Sequence, residues 1–193
     1  AYGMGALEIA RVLTERCGCR TLACSQTYEG LVLREGGITD AEILIMGPVL
    51  HDTLPHAVRW DMQIPLFTPE RVRSLSREAA RQGKTVIETG LNRIGAWPGK
   101  QLQEVIDALH QCPNIQVVGA FTHFAQAETP EDAFTKEQFA VFKEGVAQLE
   151  EAGFHLSYIH CCNTGASEWY REALDFSTHI RAGSLVLGYS DIA

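Results

Sequence analysis

Short apolar runs and amphipathic stretches alternate along almost the whole chain. The runs Thr21–Gln26, Glu42–Gly47, Gln63–Thr68, Thr85–Glu88, Gln116–Thr122, Ser157–Cys162 and His179–Leu187 have the length and apolar character of parallel strands covered on both faces. Between them apolar residues recur at helical spacing. Val72, Leu75 and Ala79 share one face, as do Leu102, Val105, Ile106 and Leu109, and further on Phe139, Phe142, Val146 and Leu149. The punctuation agrees: Thr68-Pro69 is a helix start, and Gly83 and Gly153 are stops. The first four runs begin at positions 21, 42, 63 and 85, so a compact strand–helix unit repeats.

Such alternation leaves two architectures, an open doubly wound sheet or a closed (β/α)8 barrel of the TIM type. A doubly wound dinucleotide-binding sheet calls for G-x-G-x-x-G after the first strand. Gly3-Met4-Gly5 is followed by Leu7-Glu8 and does not complete it. Conspicuous polar residues instead follow strand ends all around the repeat, as in a barrel with one active face. Seven runs are present, not eight. A glycine turn, Gly3–Gly5, leads directly into a helix with apolar positions Leu7, Ile9, Ala10 and Leu13. In a barrel such a turn and helix come directly after a strand. The expectation is therefore one domain over 1–193: a barrel apparently lacking its first strand, with two exposed edges beside the gap.

Composition narrows the class without naming it. The 193 residues are 46% hydrophobic and 21% charged, ordinary for a globular chain. Sixteen basic against 24 acidic residues give a net charge of −8, which argues against a nucleic-acid or anionic-membrane surface. No apolar run has membrane-spanning length, and Glu8 and Arg11 interrupt anything resembling a signal peptide. The six cysteines, Cys17, Cys19, Cys24, Cys112, Cys161 and Cys162, form no C-x-x-C pair. His160-Cys161-Cys162 invites a metal reading, but adjacent strand residues point to opposite faces and converge poorly on one ion. Reduced thiols in a cytoplasmic protein, and no metal, are expected.

Four segments could carry chemistry. Thr89–Gly95 follows a strand and holds Arg93 between glycines, where a rigid fork of donors can fix an anion or a phenolate oxygen; alone, it reads equally as a turn arginine. Phe121–Ala125 places His123 after another strand, where a histidine is more often a hydrogen-bonded packing residue than a catalyst. Asn163–Ser167 brings small hydroxyl residues to a helix start, either an anion cradle or an ordinary cap made by Ser167 or Thr164. Ile180–Ser184 lies in the last unit. In barrels a phosphate site often forms from the loops after the last two strands, the place these two segments occupy.

In this order the segments resemble the alanine racemase family, pyridoxal-phosphate enzymes built on a barrel. The resemblance runs through Ala1-Tyr2-Gly3, Tyr28-Glu29-Gly30 with Leu33–Gly37, Glu88–Gly95, Phe121–Ala125, Asn163-Thr164, and Arg181 with Gly183. It implies pyridoxal 5'-phosphate as cofactor and a small amino acid as substrate. It casts Tyr2, Asn163 and Thr164 as cofactor-binding residues, with Tyr2 and Thr164 at the phosphate and Thr164 standing for the family's usual serine. Gly183 and Ser184 would lend backbone N–H groups to the same phosphate. Arg181 would face the pyridine nitrogen, leaving it unprotonated and the cofactor a weaker electron sink. His123 would hydrogen-bond behind Arg181, and Arg93 would reach the phenolic oxygen.

There are departures. The family's R-P-G reads Arg181-Ala182-Gly183, and Val86 stands where many members carry a lysine that orients the arginine; Lys84 lies two residues earlier on the same strand face. The family's cofactor-linked lysine falls three residues before Ala1. Its acid/base tyrosine lies on a C-terminal β-domain expected after Ala193, serving the partner subunit's site in a homodimer. The resemblance therefore implies a racemase for alanine, or for serine or another small amino acid, of which this chain holds the barrel portion and neither proton-transferring residue. A non-catalytic cofactor-binding barrel is the alternative from another class. Other barrel-type pyridoxal-phosphate proteins, small homeostasis proteins or decarboxylases, are disfavoured by Phe121–Ala125 and Thr89–Gly95.

Overall fold

The computed structural model describes residues 3–89, 95–190 and 192. Six strands are present among them: β1 (Thr21–Cys24), β2 (Glu42–Ile45), β3 (Met62–Gln63), β4 (Val86–Thr89), β5 (Ile115–Phe121) and β6 (Tyr158–His160). Eight helices alternate with or follow them: α1 (Ala6–Arg11), α2 (Thr27–Glu35), α3 (Leu54–Arg59), α4 (Pro69–Gln82), α5 (Lys100–His110), α6 (Ala133–Glu151), α7 (Thr164–Trp169) and α8 (Arg171–Phe176). Every ladder is parallel, in two three-stranded sheets of order β1-β2-β3 and β4-β5-β6, and β3 touches β4 where the sheets meet. Parallel pairing requires a crossover between strands, and the helices supply it.

The expected helix faces are the ones that pack inward: Val72, Leu75 and Ala79 of α4, Leu102, Val105, Ile106 and Leu109 of α5, and Phe139, Phe142, Val146 and Leu149 of α6 are all buried. The ends follow from local chemistry. Thr68 Oγ1 accepts from Arg71 N at 3.3 Å with Pro69 at the first turn of α4, and Gly83 closes the helix at φ +66°.

Two expected strands are corrected. The run Gln63–Thr68 forms a regular strand only at its start, as Met62–Gln63 with a single bridge at Ile64, although Pro65 and Leu66 stay buried. Pro65 has no N–H to give to a ladder, so the strand stops before it. The run His179–Leu187 is not a strand. Its amides reach β6 at a few points, Thr178 N and His179 N to Ile159 O at 2.7 and 3.3 Å and Arg181 N to Cys162 O at 3.0 Å. Gly183 (φ −100°, ψ −91°) then leaves extended geometry, and Ser184–Leu187 winds into a 3-10 turn.

Two polar devices hold this frame together. On the inner side, Glu42 Oε2 accepts from Gln63 Nε2 at 2.9 Å and from the Tyr158 hydroxyl at 2.7 Å, joining the two sheets. That bond to Glu42, with burial, pushes the Tyr158 hydroxyl up to about 12. Arg34, only 9% exposed, donates Nε to Trp60 O at 3.1 Å and Nη1 to Ile38 O and Ala41 O at 2.8 and 2.7 Å. It thereby ties α2 to the approach to β2 and to the end of α3. Arg34→Met should cost roughly 2–4 kcal/mol, because three carbonyls lose a charged donor. Arg34→Lys should recover only a minor part, since one ammonium cannot serve three divergent acceptors. Urea denaturation of the two variants checks this; equal midpoints for Met, Lys and the parent would refute it.

Candidate functional site

The richest polar convergence among the described residues lies past the C-terminal ends of β5 and β6, and Arg181 is its centre. Nη1 donates to His160 Nδ1 and to His160 O, both at 2.7 Å. Nη2 donates to Thr122 O at 2.6 Å, with Cys161 O and His123 Nδ1 each at 3.4 Å. The guanidinium carbon also sits 5.6 Å from the centre of the Phe121 ring. One side chain thus closes off the ends of two neighbouring strands, which only a planar, forked cation can do.

His160 is the residue that sequence reasoning missed. The expectation put His123 behind Arg181, and its Nδ1 does meet Nη2 at 3.4 Å; the shorter bond is made by His160. His160 is buried and stacks on Phe121 (centroids 5.3 Å apart, planes 7° from parallel). Burial, then the charges of Arg181 and His179, push its pKa down to about 3. The ring is therefore neutral at physiological pH. Because Arg181 can only donate, Nδ1 is the acceptor and Nε2 carries the proton. A signal was available: Tyr158 and His160 share one strand face by alternation, so His160 is a second polar residue facing inward.

The next layer is built on α7. Asn163 Oδ1 accepts from Ala166 N at 3.1 Å and so caps the helix; this end-capping falls to Asn163 rather than to Ser167 or Thr164. That leaves the Thr164 hydroxyl, 2% exposed, to accept from Gly183 N at 3.1 Å and Leu185 N at 3.5 Å. Two backbone N–H groups and a hydroxyl therefore converge at one place, with Ser184 between them in sequence. With both N–H groups given to it, the hydroxyl keeps its own O–H to donate, which suits an anion such as a phosphate.

Other expected site residues resolve differently. Tyr2 and Arg93 lie outside the described residues. Val86 is buried in β4, and Lys84 does not stand in for the family lysine. Its Nζ donates to Val58 O and Arg59 O at 3.1 and 2.7 Å and pairs with Asp61 at 2.7 Å, capping the C-terminal end of α3. Cys161 and Cys162 are buried just past β6, with Cys161 Sγ 3.2 Å from the Ser177 hydroxyl. Among the described residues no group of three or more His, Cys, Asp or Glu side chains is placed to hold a metal ion, and no helix is long and apolar enough to cross a membrane.

The fold and site together define a parallel α/β protein with an arginine and an amide–hydroxyl cluster past its strand C-terminal ends. The comparisons with known proteins are specific. The family model "Alanine racemase, N-terminal domain" matches residues 1–191, and the chain belongs to that family. It is 32% identical to the alanine racemase of Treponema denticola over 198 residues, covering 98% of this chain and 51% of that protein. It is likewise 32% identical to alanine racemase 2 of Bacillus subtilis over 173 residues, covering 86% of this chain and 43% of that protein. Among solved structures, the alanine racemase of Clostridium difficile 630 in complex with cycloserine superimposes with a TM-score of 0.88 at 27% identity, covering 96% of this chain and 51% of that one. The chain thus spans about half the length of the relatives it matches.

Proposed function

We propose that this chain is the cofactor-binding part of a pyridoxal-phosphate-dependent alanine racemase, converting L-alanine to D-alanine as part of a homodimer. The observation that carries the reading is the convergence of Gly183 N and Leu185 N on the Thr164 hydroxyl, beside an arginine anchored by a neutral histidine. These residues fit the cofactor. Thr164, Gly183 and the following turn would hold its phosphate, together with Tyr2; Arg181 would face the ring nitrogen, and Arg93 the phenolic oxygen. When bound, the cofactor supplies an electron sink for the amino acid's α-carbon.

The chain's own residues set how strong that sink is. Arg181 keeps its proton throughout the physiological range, so it can donate a hydrogen bond to the ring nitrogen without protonating it. His160 and the Thr122 carbonyl hold the guanidinium in plane from behind, with His123 at the edge. The Thr164 hydroxyl, fixed by Gly183 N and Leu185 N, would hold phosphate charge without a titratable side chain. Proton transfer at the two faces of the α-carbon falls, in this reading, to the family's lysine and tyrosine rather than to any residue described above. The chain would contribute the six strands among its described residues to a (β/α)8 barrel, with the family's β-domain completing the protein. The six unpaired cysteines favour a reducing compartment such as the cytoplasm.

In the full-length protein containing this chain, pyridoxal phosphate should bind saturably and L-alanine should yield D-alanine. Thr164→Val should weaken pyridoxal phosphate about tenfold, the size of one lost hydrogen bond to a charged group, with little change for pyridoxal. D-serine as the dominant product would move the substrate assignment. Absence of any racemised amino acid with the cofactor bound would overturn the racemase reading in favour of a non-catalytic cofactor-binding barrel.

A further inference from the structure

The Ala127 carbonyl is gripped by α7 from two sides. Trp169 Nε1 donates to it at 2.8 Å. A Cβ placed on Gly165 would lie 2.7 Å from the same oxygen, 2.9 Å from its carbon and 3.1 Å from Glu128 N, all backbone atoms. Gly165 and Trp169 are four residues apart, so they present one helix face to the peptide between Ala127 and Glu128. No side chain larger than hydrogen fits at position 165 without moving that peptide.

This grip joins the two halves of the site. The gripped loop begins with Thr122 and His123, which meet Arg181, and its Phe124 packs against Tyr170, the residue stacked on Trp169. The other end of α7 carries Thr164, which receives Gly183 N and Leu185 N. One short helix therefore holds the loop supporting the arginine and the amide–hydroxyl cluster in a single spacing.

We propose that Trp169 and Gly165 are positioning residues that, through the Ala127 carbonyl, set the separation between the Thr164 cluster and Arg181. Resting on the cofactor reading above, this is the separation between the groups that hold the phosphate and the group that faces the ring. A ligand spanning both depends on that spacing; a ligand touching only one end does not.

Trp169→Phe keeps a ring for the stack on Tyr170 and deletes the N–H, and Gly165→Ala forces the loop off the helix. In the full-length protein, Trp169→Phe should raise the Kd for pyridoxal phosphate about five- to tenfold, the size of one hydrogen bond, with pyridoxal shifted less than about twofold. Gly165→Ala should do the same more strongly. Without ligand, amide exchange at Gly183 and Leu185 should quicken in both variants. Equal weakening of the two ligands, or unchanged exchange at Gly183 and Leu185, would overturn the proposal. Failure of the unmodified protein to bind pyridoxal phosphate would instead overturn the cofactor reading, and the exchange measurement would still decide the grip on its own.

Discussion

Replacing Arg181 with methionine should remove about 3–5 kcal/mol of stability. Two charged hydrogen bonds of 2.7 Å to His160 and one of 2.6 Å to the Thr122 carbonyl disappear at once, and the acceptors they leave lie at the ends of β5 and β6. A hydrogen bond to a charged group contributes about 1.5–3 kcal/mol, and acceptors stripped of a partner carry a desolvation cost. Arg181 itself is only half-buried, so solvent screening brings the loss below the sum of three such bonds, to about 3–5 kcal/mol. Arg181→Lys keeps the charge but not the fork. A lysine can reach one strand end and not both, so it should recover less than half of the loss. Urea denaturation at neutral pH measures this directly, and a loss below about 1 kcal/mol for Arg181→Met would show that β5 and β6 do not depend on the arginine.

That dependence explains which parts of the site could be foreseen from the residues. Strands β1, β2, β5 and β6 and the buried faces of α4, α5 and α6 follow from local pattern, because covered parallel strands and amphipathic helices write their environment into neighbouring positions. The segment from His179 to Leu187 is just as apolar, yet Ile180 is 47% and Leu185 44% exposed. Apolar character alone cannot say whether a run meets a partner edge, and strand formation needs one. Pro65 shows the opposite case: the run stays buried and only the ladder is lost.

The site follows the same division. Arg181, Asn163, Thr164 and Gly183 could be singled out by motif order, and the structure joins Thr164 to Gly183 directly. The partner that each one bonds could not be foreseen, since Thr164 meets Gly183 across 19 residues and Arg181 meets Thr122 across 59. His160 was hidden for a related reason. Beside two cysteines it looks like a fragment of a metal site, and only the return of the chain at Arg181 gives its Nδ1 a donor. Lys84 shares the strand face of Val86, but no substitution for the family lysine is expected of it, and the end of α3 claims its ammonium.

His160 should make the protein acid-sensitive in a way that one substitution removes. Its pKa is pushed down to about 3 in the folded chain, against about 6.5 in an unfolded one, because burial and then the Arg181 and His179 charges disfavour the imidazolium. Between these values the unfolded state binds more protons than the folded state, so stability rises with pH there. The contribution is complete above about pH 6.5 and is lost as the pH falls toward 3, at about 1.4 kcal/mol per unit and roughly 4–5 kcal/mol in all. The groups facing the ring agree with this: Arg181 donates to Nδ1 and stays charged, and Phe121 stacked on the ring offers no acceptor. His160→Asn isolates the term, since its side-chain oxygen can take the place of Nδ1 as acceptor and does not titrate. At pH 7 the variant should be less stable, having lost the ring stacked on Phe121. As the pH is lowered to 4.5 the gap should close by about 2–3 kcal/mol and then reverse. Denaturation midpoints at pH 7, 5.5 and 4.5 for the two proteins give the test; a constant gap across that range would mean that His160 is not held neutral by the fold, and the tautomer assigned to it beside Arg181 would fall with it.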